Sequence, residues 1–115
     1  MSGVARLGDS ITGTTTGEHH GHYDEDGKPI HGVGTITGSI SSNCSSNVYA
    51  NGKPVAFVGS STTEYDNCGT GYGKVATGSS KVYVNGKPIA RNGDSISAHN
   101  GSAKISSGSS NVIAN

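Results

Sequence analysis

A repeated strand-turn-strand unit constrains the fold of this chain more than any other feature of the sequence. Ser79–His99, SSKVYVNGKPIARNGDSISAH, has a second copy at Ser45–Glu64, SSNVYANGKPVAFVGSSTTE, 34 residues earlier. A third copy is split, because its first half, SSNVIAN, ends the chain at Asn115 and its second half, GVARLGDSIT, begins at Gly3. The two termini together complete one repeat, which predicts a body of threefold pseudo-symmetry that closes on itself.

Each repeat unit is typical of a β-hairpin. Asn51-Gly52 and Asn85-Gly86 supply the two positive φ values of a type I′ turn, and apolar residues flank both dipeptides. We expect hairpins over residues 48–58 and 82–92, with a third built from both termini. Helices are not expected, because Gly, Ser, Thr and Asn dominate without a helical period. The predicted fold class is all-β: a small pseudo-threefold symmetric cone of β-hairpins, closed by pairing of the N- and C-terminal strands, in a single domain over residues 1–115.

Composition limits the size of the hydrophobic core and the choice of partners. Only 30% of the residues are hydrophobic, with one Phe and no Trp, so a conventional sandwich core would be thin. The 19 glycines would suit a disordered linker, but repeated strands in register argue against disorder. The net charge is zero without a basic stripe, so nucleic acid is not an expected partner. No apolar run reaches the length of a membrane span, and we expect neither a membrane-spanning helix nor a signal peptide.

The segments between the hairpins are interpreted as loops that carry the chemistry. They run over residues 9–38, 60–78 and 94–108, and each holds one candidate metal ligand at a similar distance before a Gly-Ser pair. These ligands are His31, Cys68 and His99. Loops related by a threefold axis project from the same end, so we expect the three side chains to converge near the axis.

The first of these loops contains an additional histidine-rich piece, GEHHGHYDEDGKPIHG. A turn at DEDG would place His20 opposite His31, with Cβ atoms roughly 4.5–5.5 Å apart, and His22 on the same face as His20. The predicted ligand set is therefore His20 or His22 together with His31, Cys68 and His99. Three imidazoles and one thiolate in a closed tetrahedron are typical of structural zinc. Iron is the alternative, but a thiolate among few ligands favours zinc.

The two cysteines allow a competing interpretation, a disulfide between Cys44 and Cys68. Cys44 begins a hairpin strand, whereas Cys68 lies in a ligand loop, so we expect Cys44 to be a free, small packing residue. The histidines could also be solvated surface residues. One candidate ligand in every symmetry-related loop favours the metal site.

Enzymatic activity is not expected. His99 with Ser95 or Ser97 could suggest a catalytic triad, but no nucleophile elbow accompanies them. A Cys68–His31 dyad competes with metal ligation. Glu18 is the plausible general base for a hydrolytic zinc, yet the proposed set fills all four positions and leaves none for water.

The repeat motifs resemble those of the PAAR (Pro-Ala-Ala-Arg) proteins. The similarity rests on Asn85-Gly86-Lys87-Pro88-Ile89-Ala90-Arg91 with Gly93-Asp94, on Asn51-Gly52-Lys53-Pro54-Val55-Ala56 with Gly59, and on Gly3-Val4-Ala5-Arg6-Leu7-Gly8-Asp9. The resemblance implies a β-cone that caps a trimeric β-helical spike in a phage tail or a type VI secretion system, with zinc near the apex held by three histidines and one cysteine. The second unit departs from the motif, with Phe57 in place of Arg and Ser60 in place of Asp.

The same resemblance implies the partners and the location of the protein. One copy would bind one spike trimer, VgrG-like or a phage central spike, and would contact the target cell envelope transiently. The protein would be made in the bacterial cytoplasm and carried on the virion or secreted by the type VI system. We expect no fused effector, since nothing precedes Met1 or follows Asn115 in the sequence.

The competing function is that of an adhesin or a carbohydrate-binding β module. It would use exposed tyrosines as stacking faces, and the candidates are Tyr49, Tyr65, Tyr72 and Tyr83. Tyr49 and Tyr83 occupy equivalent repeat positions, so we expect these two to pack structurally.

Overall fold

The computed structural model describes residues 2–15, 34–66, 69–98 and 101–114. All regular structure in these residues is β. The strands are β1 Ser2–Gly3, β2 Ser10–Thr15, β3 Thr35–Ser42, β4 Tyr49–Ala50, β5 Lys53–Pro54, β6 Ser61–Asp66, β7 Gly69–Val75, β8 Tyr83–Val84, β9 Lys87–Pro88, β10 Ser95–Ser97, β11 Gly101–Ile105 and β12 Ile113–Ala114. No helix in this part of the chain is long and apolar enough to cross a lipid bilayer.

Six of the strands close into an antiparallel barrel in the order β10-β11-β2-β3-β6-β7. The prediction that the segments between the hairpins are loops was therefore wrong, since these segments supply all six barrel strands. In β3, Thr35 and Thr37 are exposed and Ile36 is fully buried. β-Branched threonine suits an outward strand position as well as valine does. These strands are hard to recognise in the sequence because their outer faces carry hydroxyl groups and the inner faces of β2 and β3 alternate isoleucine with glycine.

Glycine makes the barrel narrow enough for a small hydrophobic core to fill it. Ile11, Ile40 and Ile105 are at most 1% exposed. A Cβ at Gly13 would lie 2.0 Å from the Ser102 carbonyl oxygen, and a Cβ at Gly38 would lie 2.0 Å from that of Thr63. The strands thus approach more closely than any side chain would permit, and a few isoleucines and valines suffice to fill the interior.

Three short hairpins stand at one end of the barrel, as the repeats predict. β4 pairs with β5 and β8 with β9, each over two residue pairs, and the Asn-Gly turns have φ values of 55° and 77° in one and 52° and 79° in the other. The third is formed by the termini, where β1 pairs with β12 and Gly3 lies opposite Ile113. Tyr83 lies opposite Pro88 at the equivalent position. The predicted all-β fold, closed by the terminal strands, is confirmed.

A ring of three alanines joins the hairpins around the pseudo-threefold axis. Ala5 N–H donates to Ala90 O at 2.9 Å, Ala90 N–H to Ala56 O at 3.0 Å, and Ala56 N–H to Ala5 O at 2.9 Å. All three alanines are 0% exposed, and a larger side chain would prevent this approach of three backbones. The ring belongs to the core cluster inside the barrel. A second cluster lies under the hairpins and contains Val4, Ala50, Val55, Phe57, Val84, Ile89 and Ala114.

Candidate functional site

The two ends of the barrel differ in composition and in the segments attached to them. At one end, here called the apex end, β2–β3, β6–β7 and β10–β11 approach their connections, with Asp66 paired to Gly69 and Gly101 to Thr15. The short hairpins occupy the other end, here called the base. Antiparallel pairing around a closed barrel requires all three connections to leave from the apex end.

All five predicted metal ligands belong to residues 16–33, 67–68 and 99–100, which follow these strand ends. His20, His22, His31, Cys68 and His99 therefore lie outside the described residues. Within residues 2–15, 34–66, 69–98 and 101–114, no group of three or more His, Cys, Asp or Glu side chains could hold a metal ion. The predicted ligand set stays a prediction.

A buried carboxylate on the inner wall of the barrel was not anticipated from the sequence. Glu64 is 2% exposed and lies between Gly38 and Gly71 on the neighbouring strands. Its Oε1 accepts a hydrogen bond from the Thr62 hydroxyl at 3.4 Å. A Cβ at Gly73 would lie 2.3 Å from Oε1, so this glycine makes room for the carboxylate. Glu64 places a polar group inside the half of the barrel that leads to the apex end.

An apolar pair projects from each hairpin of the base. The pairs are Val48 with Tyr49, Val82 with Tyr83, and Val112 with Ile113, here called the base ring. Tyr49, Tyr83 and Ile113 are 57%, 59% and 51% exposed, although the next residue in each strand is buried. The expectation that Tyr49 and Tyr83 pack structurally was wrong, because strand alternation turns both rings away from the core cluster.

Asparagine and serine side chains tie neighbouring base hairpins together. The Ser45 hydroxyl donates to Asn85 Oδ1 at 2.6 Å, and the Ser109 hydroxyl donates to Asn51 Oδ1 at 2.5 Å. Asn85 Nδ2 donates in turn to Asn47 Oδ1 at 2.9 Å. The turn asparagines thus supply the positive φ values and also cross-link adjacent repeats. The sequence signal for this second role was the Ser-Ser-Asn that opens two of the units.

Arginine–aspartate pairs brace the junction between hairpin and barrel in two of the three units. Arg6 Nε donates to Asp9 Oδ2 at 2.9 Å, and the Arg6 backbone N–H donates to the same oxygen at 2.7 Å. Burial alone would raise the pKa of Asp9, but hydrogen bonds from Arg6 and Ser107 outweigh it and lower the pKa. Arg91 and Asp94 repeat this arrangement, with Nη2 2.9 Å from Oδ1. Both carboxylates are largely buried, whereas the guanidinium groups remain partly exposed, so solvent weakens each pair in part.

The second unit replaces the ion pair without changing the backbone. Ser60 Oγ accepts the hydrogen bond from the Phe57 N–H at 3.0 Å, as Asp9 does from Arg6. Phe57 is 4% exposed, and Lys87 Nζ from the next unit lies 4.5 Å above its ring centroid. A cation–π contact and apolar burial thus take over from the ion pair.

One further prediction concerned Cys44, and the structure confirms it. The thiol is free, and the residue packs against the core cluster inside the barrel. Burial raises the pKa of the Cys44 thiol, and a hydrogen bond involving Ser60 offsets this in part. Cys44 is therefore a protonated packing residue at neutral pH.

Three equivalent hairpins around an alanine ring, each followed by a Gly-Asp or Gly-Ser turn, define an all-β protein of threefold pseudo-symmetry. The PAAR motif family model matches residues 26–99 and again residues 70–115, and the chain belongs to this family. The overlapping matches reflect the repeat. The family is a structural one associated with the spike tip of contractile injection systems, in phage tails or type VI secretion. No curated protein matches the chain.

Proposed function

We propose that one copy of this chain caps the end of a trimeric β-helical spike protein, VgrG-like or a phage central spike, and aids its passage through the target cell envelope. The observation that carries the proposal is the base ring, in which each hairpin presents an exposed apolar pair at an equivalent position. A trimer presents three identical sites around its axis. Three equivalent hairpins on one chain can meet all of them at once.

The end of a β-helical trimer has a physical need for such a cap. Its last strands expose unpaired backbone groups and an apolar cross-section, and both promote aggregation. The base ring supplies apolar area of the same symmetry, and only one copy fits on the axis. A single chain can then taper beyond the partner, which three chains around the axis cannot do as readily. The role is mechanical, and we propose no catalytic step.

We further propose that the apex end binds one structural zinc ion through His20 or His22, His31, Cys68 and His99, with iron as the less suited metal. Each connection between barrel strands at that end carries at least one of these donors. Three imidazoles and a thiolate match the ligand preferences of zinc. Bound zinc would cross-link three glycine-rich connections and add folding free energy that the small core does not supply.

Co-expression with the spike trimer tests the docking proposal. Tyr83→Asp places a charge in the base ring, and we expect it to abolish co-elution with the trimer on size exclusion. Tyr72→Asp is the matched control, because Tyr72 is 72% exposed on the barrel wall and lies outside the base ring. Light scattering should give one copy per trimer for the unaltered chain.

Circular dichroism should show that both variants are folded. Equal binding by the two variants would refute the assignment of the base ring as the docking face. A complex of three copies per trimer would refute the symmetry argument.

A further inference from the structure

The outer wall of the barrel formed by β3, β6 and β7 differs from the rest of the barrel surface. Its outward side chains form three rows across the strands, here called the tyrosine wall. The rows are Thr37–Tyr65–Thr70, Ser39–Thr63–Tyr72 and Ser42–Ser61–Lys74. The side chains of these rows carry hydroxyl groups, two phenol rings and one ammonium group.

The two tyrosines break the threefold pseudo-symmetry of the barrel. Tyr65 is 53% exposed and Tyr72 is 72% exposed, and they lie on adjacent strands as diagonal neighbours. Diagonal positions are about 7–8 Å apart, within the span of adjacent sugar rings in a glycan. The repeat equivalent of β7 is β11, which has Ser102 where β7 has Tyr72. Docking on a threefold partner through the base does not require this asymmetry.

A groove of about 460 Å³ runs beside Tyr72 on the tyrosine wall. Ser61, Thr63 and Lys74 line it, together with Ser41 and Ser42 from β3. A second groove of about 310 Å³ on the opposite wall contains Lys104 and hydroxyl groups but no aromatic residue. The two grooves carry equivalent lysines, so Tyr72 is the side chain that distinguishes them.

We propose that the tyrosine wall binds an oligosaccharide that carries anionic substituents. Exposed tyrosine rings stack on the C–H faces of pyranose rings, and their hydroxyl groups remain free to hydrogen-bond. The serine and threonine hydroxyls donate to and accept from sugar hydroxyls. Lys74 is the charged side chain of these three rows, and its positive charge selects a carboxylate or phosphate on the glycan. This site is separate from the base and does not depend on docking to a spike.

The test measures binding of defined hexasaccharides to the full chain by calorimetry, with amide shift mapping by NMR. The probes are hexagalacturonate, a phosphorylated mannose oligosaccharide and neutral hexagalactose. We expect the anionic probes to bind about tenfold more tightly than the neutral one at low salt, with the difference reduced by added salt. A preference between the first two probes distinguishes a carboxylated from a phosphorylated glycan. The largest shifts should fall within residues 61–74.

Variants separate this proposal from non-specific binding. Tyr65→Ala with Tyr72→Ala should weaken binding about tenfold, as expected from the loss of aromatic contacts. Lys74→Gln should remove the preference for anionic probes, whereas Lys104→Gln and Tyr83→Ala should leave binding unchanged. Thermal melting checks that each variant is folded.

Three outcomes would overturn the proposal. The first is that Tyr83→Ala weakens glycan binding as much as the double tyrosine variant does. The second is that no amide shifts appear on the tyrosine wall at millimolar oligosaccharide. The third is that the chain self-associates through the tyrosine wall instead of binding a glycan.

Discussion

Replacing Gly38 with alanine tests whether the narrow barrel depends on glycine. The added Cβ would lie 2.0 Å from the Thr63 carbonyl oxygen and 3.1 Å from the Glu64 Cα. Both atoms belong to the backbone of β6, so no flexible side chain can move to relieve the clash. β3 cannot move away from β6 without disturbing β2 on its other side. We expect a loss of about 3 kcal/mol in the free energy of unfolding, the upper range for an overpacked core.

Thermal unfolding followed by circular dichroism measures this effect. A loss of about 3 kcal/mol corresponds to a fall of roughly 10 °C in Tm for a chain of this size. Gly52→Ala is the matched control, because its φ is +77° and a Cβ there would meet nothing within 4 Å. Gly52→Ala should therefore lower the free energy of unfolding only through backbone strain, by about 1 kcal/mol. If Gly38→Ala melts at or above Gly52→Ala, close strand approach does not limit the barrel and the argument fails.

Three further predictions concern the apex, the ion pairs and the divergent second unit. Cys68→Ser should lose zinc and have a lower Tm, whereas Cys44→Ser should retain zinc. Metal analysis after gel filtration measures the zinc content of both variants. One equivalent of zinc in Cys68→Ser would exclude Cys68 as a ligand. Because the folded-state pKa of Asp9 is lowered, its contribution to stability is present above the unfolded-state pKa and is lost as the pH falls through the folded-state value. Asp9→Asn should therefore flatten the acid limb of stability below the unfolded-state pKa of an aspartate, as measured by urea titrations at several pH values, and an unchanged limb would contradict the pairing. Phe57→Arg combined with Ser60→Asp should restore the ion pair in the second unit. A double-mutant cycle should then give a coupling free energy of about 1 kcal/mol between the two substitutions. If their effects on the free energy of unfolding simply add, the pair does not form.

The repeat predicted the topology of the base because its turn chemistry is local. Asn51-Gly52 and Asn85-Gly86 can adopt few conformations, so the hairpins and their turn type follow from four residues. The split third unit then required β1 to pair with β12. These features of the base could be predicted without knowing which residues form the hydrophobic core.

The barrel was missed because its stability depends on non-local features. Gly13 and Gly38 are uninformative as single residues, and their role appears only when Ser102 and Thr63 on other strands approach within 2.0 Å of the added Cβ positions. Glu64 was missed for the same reason, since a glutamate in a Ser-Thr strand is ordinarily exposed. The candidate metal ligands could be proposed from spacing, but the described residues reach only the strand ends that flank them.

The pattern of symmetry in the molecule is itself an argument about function. The alanine ring and the base ring have three equivalent members and the turn asparagines have two, and all of them lie at or near the base. One departure from symmetry, Phe57, is buried under the hairpins beneath Lys87, whereas the exposed departures, Tyr65 and Tyr72, lie on one wall of the barrel. A partner of threefold symmetry that binds the base would require the exposed residues of the three hairpins to stay similar. It would place no such requirement on the residues of the barrel wall. The base variants and the wall variants should therefore have independent effects, and a base variant that abolishes glycan binding without unfolding the chain would show that the two surfaces are not separate.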